Sequence, residues 1–403
     1  MNKQKLADVF ILSALALALV ACGGGGSSSS GSDRDETPPP ATGGGHEPEQ
    51  VRSATLDATS QTDYTYFNLT SGQQVALTEA QAATSTDWHI AFRRTNIKLN
   101  GGDSGPGKVA GALLVPQDDF YDENGAYVAN VFLNATAASE LEHLTGSLTP
   151  AEKLVSDKVS SVLEIPSESQ NGVYDFGWYF YNMDGHKISE NDQTAWLLRS
   201  GEGDSYARFR AISVSFNSGT GLAATFSFDV QSAGTSQFSS TAEFSTTVAT
   251  GNEACFDFDT NKIVDCTGSA WDLKLGVAGR SFYLRTNSGV SGSGKGGAFG
   301  PWTWDELKDF QSATTDPAGN SLSFLYTADY TGGIFVDQSW YGYGVTQQAG
   351  DHKIYPNYRV YQITTDADQA EAPRYALQIT NYYHPDTAAS GHVSLRWREL
   401  KAD

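Results

Sequence analysis

Positively charged residues are scarce: 26 Lys and Arg stand against 47 Asp and Glu, for a formal charge of −21. With no basic stripe to offset phosphate repulsion, nucleic acid and anionic lipid headgroups are excluded as partners. Long apolar runs are equally rare. Val9 to Val20 is too short to span a bilayer, and no other segment could cross a membrane as a helix. The local signatures of catalysis are missing as well. There is no Gly-x-Ser-x-Gly elbow, no His-Glu-x-x-His and no Cys-His nucleophile arrangement, so a protein that is not an enzyme is expected. Cysteine is down to three residues and methionine to two.

What is present begins with an export signal. Lys3 and Lys5 give residues 1–21 a positive start ahead of the apolar stretch, the pattern of a signal peptide. Leu19-Val20-Ala21-Cys22 then resembles a lipobox, which makes Cys22 the expected lipidation site. Multiple acyl chains there would anchor the chain firmly. Gly23 and Gly24 follow instead of an acidic residue, which resembles lipoproteins sent to the outer membrane, so that membrane, on its periplasmic or surface face, is the expected location. Residues 22–50, rich in Gly, Ser and Pro, read as a flexible stalk. Cys255 and Cys266 flank a strand–turn–strand pattern in an exported chain, so a disulfide between them is predicted.

Beyond the stalk the chain repeats itself. Asn100-Gly-Gly-Asp-Ser-Gly-Pro-Gly-Lys108 and Asn287-Ser-Gly-Val-Ser-Gly-Ser-Gly-Lys295 share six residues in one register. A tryptophan-led apolar segment precedes each, at Trp88 and at Trp271. An aromatic run follows each, Trp178-Tyr-Phe-Tyr181 and Trp340-Tyr-Gly-Tyr343. Each run leads to His-Lys-Ile, beginning at His186 and His352. Four landmarks in one order imply two versions of one domain, 51–235 and 236–403, joined through Gln231 to Ser240. Period-two segments such as Ala207–Phe216 and Thr225–Val230, punctuated by many of the 41 glycines, predict a mostly β fold with a few short helices. Thr149-Pro-Ala-Glu152 and Thr303-Trp-Asp-Glu306 resemble capping boxes. The first is expected to open a helix to about Leu163, within helical material inserted at Ala135–Leu163.

The glycine loops come close to a phosphate-binding pattern, but Val109 and Gly296 replace the Ser or Thr that would hold Mg²⁺, and no helix signal follows. A pocket rim or chain crossing is the expected role. Asp257-x-Asp259-x-Asn261 imitates the start of a calcium loop but lacks its glycine and its final glutamate, and a hairpin explains both copies. Among the histidines, only His186 and His352 occupy equivalent places. Imidazole is a good axial ligand for haem iron, and the aromatic side chains Trp178, Tyr181, Trp340 and Tyr343 would suit porphyrin faces. Met183 offers a second soft ligand near His186. The competing reading is a hairpin histidine bonded to its own turn.

These pieces, with Tyr66-Phe-Asn-Leu69, Asp87–Gly102, Leu284–Gly289 and Tyr375–Tyr383, resemble the HmuY family of haem-binding bacterial lipoproteins over residues 60 to 400. The resemblance implies an almost all-β fold and haem as cofactor. It also implies iron held by two His or Met side chains and transfer of haem to a TonB-dependent outer-membrane receptor. The alternative from another class is a surface-anchored β adhesion or glycan-binding module whose aromatic rings stack on sugars.

Overall fold

The computed structural model describes residues 50–165, 170–348 and 350–401. The signal sequence, Cys22, the stalk and His46 lie outside the described residues. The fold is mostly β, as expected. In chain order the first strands are β1 (Arg52–Asp57), β2 (Thr65–Asn68), β3 (Gln73–Val75), β4 (Ile90–Arg93), β5 (Asn96–Leu99), β6 (Ala110–Val115) and β7 (Lys158–Ser160). Then come β8 (Val173–Asp175), β9 (Tyr179–Asn182), β10 (Lys187–Glu190), β11 (Thr194–Arg199), β12 (Tyr206–Asn217) and β13 (Gly221–Gln231). They are followed by β14 (Ser240–Val248), β15 (Glu253–Asp257), β16 (Lys262–Val264), β17 (Leu273–Ala278), β18 (Ser281–Thr286) and β19 (Gly297–Thr303). The last are β20 (Tyr330–Gly332), β21 (Tyr341–Tyr343), β22 (Ile354–Pro356), β23 (Val360–Thr364), β24 (Arg374–Tyr383) and β25 (Ser390–Leu400).

Two lobes result, each with its own core. The central lobe, about residues 158–329, sets the five-stranded sheet β14-β13-β12-β11-β19 against the four-stranded sheet β16-β15-β17-β18. Strict alternation along β13 buries Leu222, Ala224, Phe226, Phe228 and Val230. Phe228 and Phe244 reach across to Phe256, with ring centroids 5.3 and 4.9 Å apart. Each such side chain contributes roughly 1.5–3 kcal/mol by leaving water. The terminal lobe, residues 50–157 and 330–401, repeats the plan with β1-β25-β24-β23-β6 over β3-β2-β4-β5. Its core holds Leu56, Phe67, Phe92, Tyr361, Leu377 and Trp397.

The division into 51–235 and 236–403 therefore does not describe closed structural domains. β13 and β14, on either side of residue 235, pair along their length, and β1 finds its partner in β25 at the far end of the chain. Backbone ladders and shared apolar cores, both long-range in sequence, decide the boundary instead.

The helices also differ in part. Thr303 caps α4 (Trp304–Leu307) with the reciprocal bonds of a capping box, as expected. α1 (Glu79–Ala82) has the same device at Thr78. No helix opens at Thr149. Gln362 of β23 takes the Ala151 amide at 2.8 Å, and Val155 bridges to Gly111, so tertiary partners hold the backbone extended. The helical material in this insert is limited to α2 (Ala129–Asn134) and α3 (Leu141–Thr145), beginning earlier and ending sooner than the Ala135–Leu163 expected. The remaining helix is α5 (Ile334–Asp337).

The glycine loops mark chain crossings. The backbone leaves the terminal lobe after Asp157 and returns after Asp329, and β7 and β20 pair where it does so. Gly102 (φ +58°) and Gly289 (φ +54°) lie against the carbonyls of Asp157 and Asp329, where any Cβ would collide. Asn100 and Asn287 organise the loops. Their Oδ1 atoms accept from the amides of Gly107 and Gly294, at 3.0 and 2.9 Å. Their Nδ2 atoms donate to Trp88 O and Trp271 O, at 2.8 and 2.9 Å. No phosphate is needed to explain them.

The Cys255–Cys266 disulfide is present, with Cα atoms 5.3 Å apart. It spans the β15–β16 hairpin, whose Cys255↔Val264 pairing matches Tyr66↔Val75 in the terminal lobe.

Candidate functional site

In the central lobe, β9 and β10 form a hairpin closed by Met183-Asp-Gly-His186. Gly185 (φ +79°) and His186 (φ +51°) both take left-handed backbone, which turns the chain tightly. His186 is exposed, and its Nδ1 lies 2.6 Å from Tyr181 Oη. From His186 a row of rings runs through Tyr181, Tyr174, Phe176, Tyr179 and Phe282 to Phe216, in centroid steps of 4.8–6.2 Å. Phe216 is 40% exposed and Met183 51% exposed, so this end of the lobe shows apolar surface to solvent.

The terminal lobe has the same pair. β21 and β22 form a hairpin with a longer loop, and His352 Nδ1 lies 3.0 Å from Tyr343 Oη. Burial raises the Tyr343 phenol above its ordinary value, with Tyr383 and Asp351 adding to the shift, so it keeps its proton. Tyr383 Oη accepts from the Ile354 amide at 2.9 Å, which ties this hairpin to β24. When Nδ1–H donates to the tyrosine oxygen, the Nε2 lone pair of each exposed imidazole is left for a metal. The donor set suits haem iron.

Two expectations about these residues change. Trp178 and Trp340 are fully buried; they pack on Phe226 and Tyr382, and line no ligand surface. An indole removes more apolar area from water inside the core than at an exposed turn. Met183 and His186 share one four-residue turn and so approach a flat ligand from the same side. As a ligand, Met183 would be an alternate to His186 rather than its partner across an iron. His186 and His352 belong to different lobes and do not form a pair.

Sequence reasoning missed a histidine pair. His384 and His392 close the β24–β25 hairpin with their rings edge-to-face, centroids 4.9 Å apart, directly after Tyr383. His392 Nδ1 lies 3.2 Å from Ala389 O and therefore donates, which frees Nε2. The hairpin itself was legible, but which rings meet depends on a register with irregularities at Ile379/Asn381 and Asn381/Tyr383. His89 is a structural residue: its Nδ1 accepts the Leu69 amide at 3.1 Å, and burial lowers its pKa to about 4.

Asp257, Asp259 and Asp272 gather with carboxylate oxygens within 4.8 Å of one another. Those oxygens are already engaged. Asp272 accepts from the Gly201 and Phe258 amides, Asp257 from the Asp259 and Thr260 amides, and Asp259 from the Ser205 hydroxyl. Burial pushes Asp272 up to about 8 and Asp157 up to about 6. A carboxyl raised on folding binds its proton more tightly in the folded state. Its stabilising effect is complete below the unfolded value near 4 and is lost as pH rises through 6 and then 8. The melting temperature should therefore fall between pH 5 and pH 9. Unfolding at pH 7 should release about one proton, measurable by calorimetry in buffers of different ionisation enthalpy. A flat profile with no proton release would refute this.

A cavity of about 200 Å³, lined by Pro150, Ala151, Gln362, Thr364 and Arg374 among others, contains no histidine. It falls below the roughly 300 Å³ at which pockets for drug-sized ligands begin. The candidate haem surface considered for each lobe is the exposed hairpin end where His186 or His352 lies.

A model of the HmuY protein family matches residues 60–228. The segment begins ahead of β2, includes the first glycine loop and the Tyr181–His186 hairpin, and ends within β13. No curated protein matches the chain. Among solved structures, one described as HmuY-like and heme-binding, from Bacteroides vulgatus, aligns over 87% of this chain and 93% of its own. Identity is 9% and the TM-score 0.29. A lipoprotein from Bacteroides fragilis aligns over 88% and 92% at 10% identity, with a TM-score of 0.29. The apo HmuY analog of Tannerella forsythia aligns over 89% and 100% at 8% identity, with a TM-score of 0.27. No helix among the described residues is long and apolar enough to cross a membrane, which says nothing of a β-barrel.

Proposed function

We propose that this chain is a haem-binding lipoprotein of the outer membrane that captures haem and passes it to a TonB-dependent receptor. The HmuY family segment supports a haem-binding role. The observation that carries the reading within this chain is the twice-built pair of an exposed imidazole and a tyrosine hydroxyl, His186 with Tyr181 and His352 with Tyr343. A bound haem supplies iron with axial positions for such ligands. Each tyrosine holds its imidazole ring in place and, where it accepts from Nδ1–H, leaves Nε2 free, and the neighbouring rings give a porphyrin face apolar contact. His384 and His392 give the terminal lobe additional imidazoles next to Tyr383, while the central lobe has Met183 instead. An open surface suits a carrier that must release its cargo. Anchoring through Cys22 would keep the protein at the membrane where a receptor works.

Titrating the signal-free protein with haemin tests this. A sharpened, red-shifted Soret band that saturates is expected, and its stoichiometry tells whether one lobe or both take part. No spectral change, together with retention on a polysaccharide column, would favour the glycan-binding alternative.

A further inference from the structure

The two lobes have one strand order. Terminal β1-β25-β24-β23-β6 corresponds position by position to central β14-β13-β12-β11-β19. Details agree. Thr55 and Ser394 touch through their hydroxyls at 2.9 Å across β1–β25, and Ser245 and Thr225 do so at 3.0 Å across β14–β13. Asp157 and Asp329 hold the crossings alike, accepting from the Leu99 and Thr286 amides at 2.8 and 3.0 Å.

Along the sequence, however, the same elements run β1 to β13 and then again β14 to β25. Each run holds one edge strand, one four-stranded sheet, one glycine loop, one aromatic hairpin and three long strands. Each lobe takes the front of one run and the back of the other. The family match gives independent support, because residues 60–228 are one contiguous unit to the family model yet fall in both lobes here.

We infer that the chain is a duplicated unit whose two copies have exchanged their second halves. The two copies are thereby interlocked partners, and the connection at residues 232–239 is not what holds them together. Both candidate haem surfaces are composite as a result. Phe282 of the second copy lies against Tyr179 and Phe216 of the first, with centroids 5.5 and 5.3 Å apart. In the terminal lobe, Arg94 of the first copy donates to Ser390 Oγ of the second at 3.1 Å, at the His384–His392 hairpin. This inference stands or falls separately from haem binding.

The test uses the whole chain with a protease site inserted between Gly234 and Thr235, in the exposed turn of the joint. Thr55→Cys with Ser394→Cys should oxidise to a disulfide within one monomer. After cleavage, the two fragments should then stay linked on a non-reducing denaturing gel. Thr55→Cys with Thr225→Cys probes the self-closed copy, in which β1 would lie beside β13, and should not cross-link. Without added cysteines, the cut protein should elute as the uncut one does and separate only in denaturant. A 55–225 link, absence of the 55–394 link, or a 55–394 link that joins two molecules would each overturn the inference.

Discussion

Replacing Asn287 with Ala should lower stability by roughly 2–6 kcal/mol, since the buried Trp271 carbonyl loses its bond at about 1–3 kcal/mol and two more exposed partners lose theirs at about 0.5–1.5 kcal/mol each. The partners are Gly268 O, Trp271 O and the Gly294 amide, at 3.0, 2.9 and 2.9 Å. Asn287 is fully buried, so water cannot reach the Trp271 carbonyl without opening the loop. Gly292, Gly294 and Gly296 crowd around this one residue so closely that a Cβ on any of them would meet Asn287 atoms. Asp at the same position keeps an acceptor for Gly294 but turns oxygen toward two carbonyls, and it should fare little better than Ala. Asn100→Ala should behave alike, because its amide bonds Ser85 O, Trp88 O and the Gly107 amide. Chemical denaturation measures the loss. A change under about 1 kcal/mol, the scale of an ordinary surface substitution, would show that the loops do not depend on the amide.

The second large effect concerns haem. His352→Ala should weaken haemin binding to the terminal lobe, and His186→Ala binding to the central lobe, each by more than about tenfold. That is the scale on which even the hydrogen-bond partners of metal ligands act. Tyr343→Phe and Tyr181→Phe should each weaken binding less while changing the axial-ligand signature, because the ring remains and only its orientation is released. If both histidine variants keep the wild-type Soret band, these two residues are not ligands. Loss of the band in His384→Ala or His392→Ala would then move the terminal site to the β24–β25 hairpin.

Local signals in the sequence were read well where neighbours in sequence are neighbours in space. The Thr303 capping box, the β15–β16 hairpin with its disulfide and the alternation along β13 depend on residues a few positions apart. The Thr149 box failed because Gln362, more than two hundred residues on, claims the backbone it would have coiled. The glycine loops were legible as repeated loops, but their use as crossings requires Asp157 and Asp329, which no local pattern connects to them. Exposure was the other blind spot. Trp-Tyr-x-Tyr shows aromatic content, but the packing of Trp178 on Phe226 decides which ring faces the core. The two lobes were illegible for the strongest reason: the pairing of Thr55 with Ser394 spans 339 positions.

β1 starts at Arg52 beside Trp397 and finishes at Asp57 beside His392, so this one strand sets an orientation. Five residue steps at roughly 3.3 Å carry the backbone about 17 Å away from the point where the preceding residues attach. A fatty anchor upstream of Gln50 would thus grip the terminal lobe at one pole and leave the His384–His392 hairpin at the other. At the far end of the strand the imidazoles would stand clear of the tether, open to whatever delivers or collects their cargo.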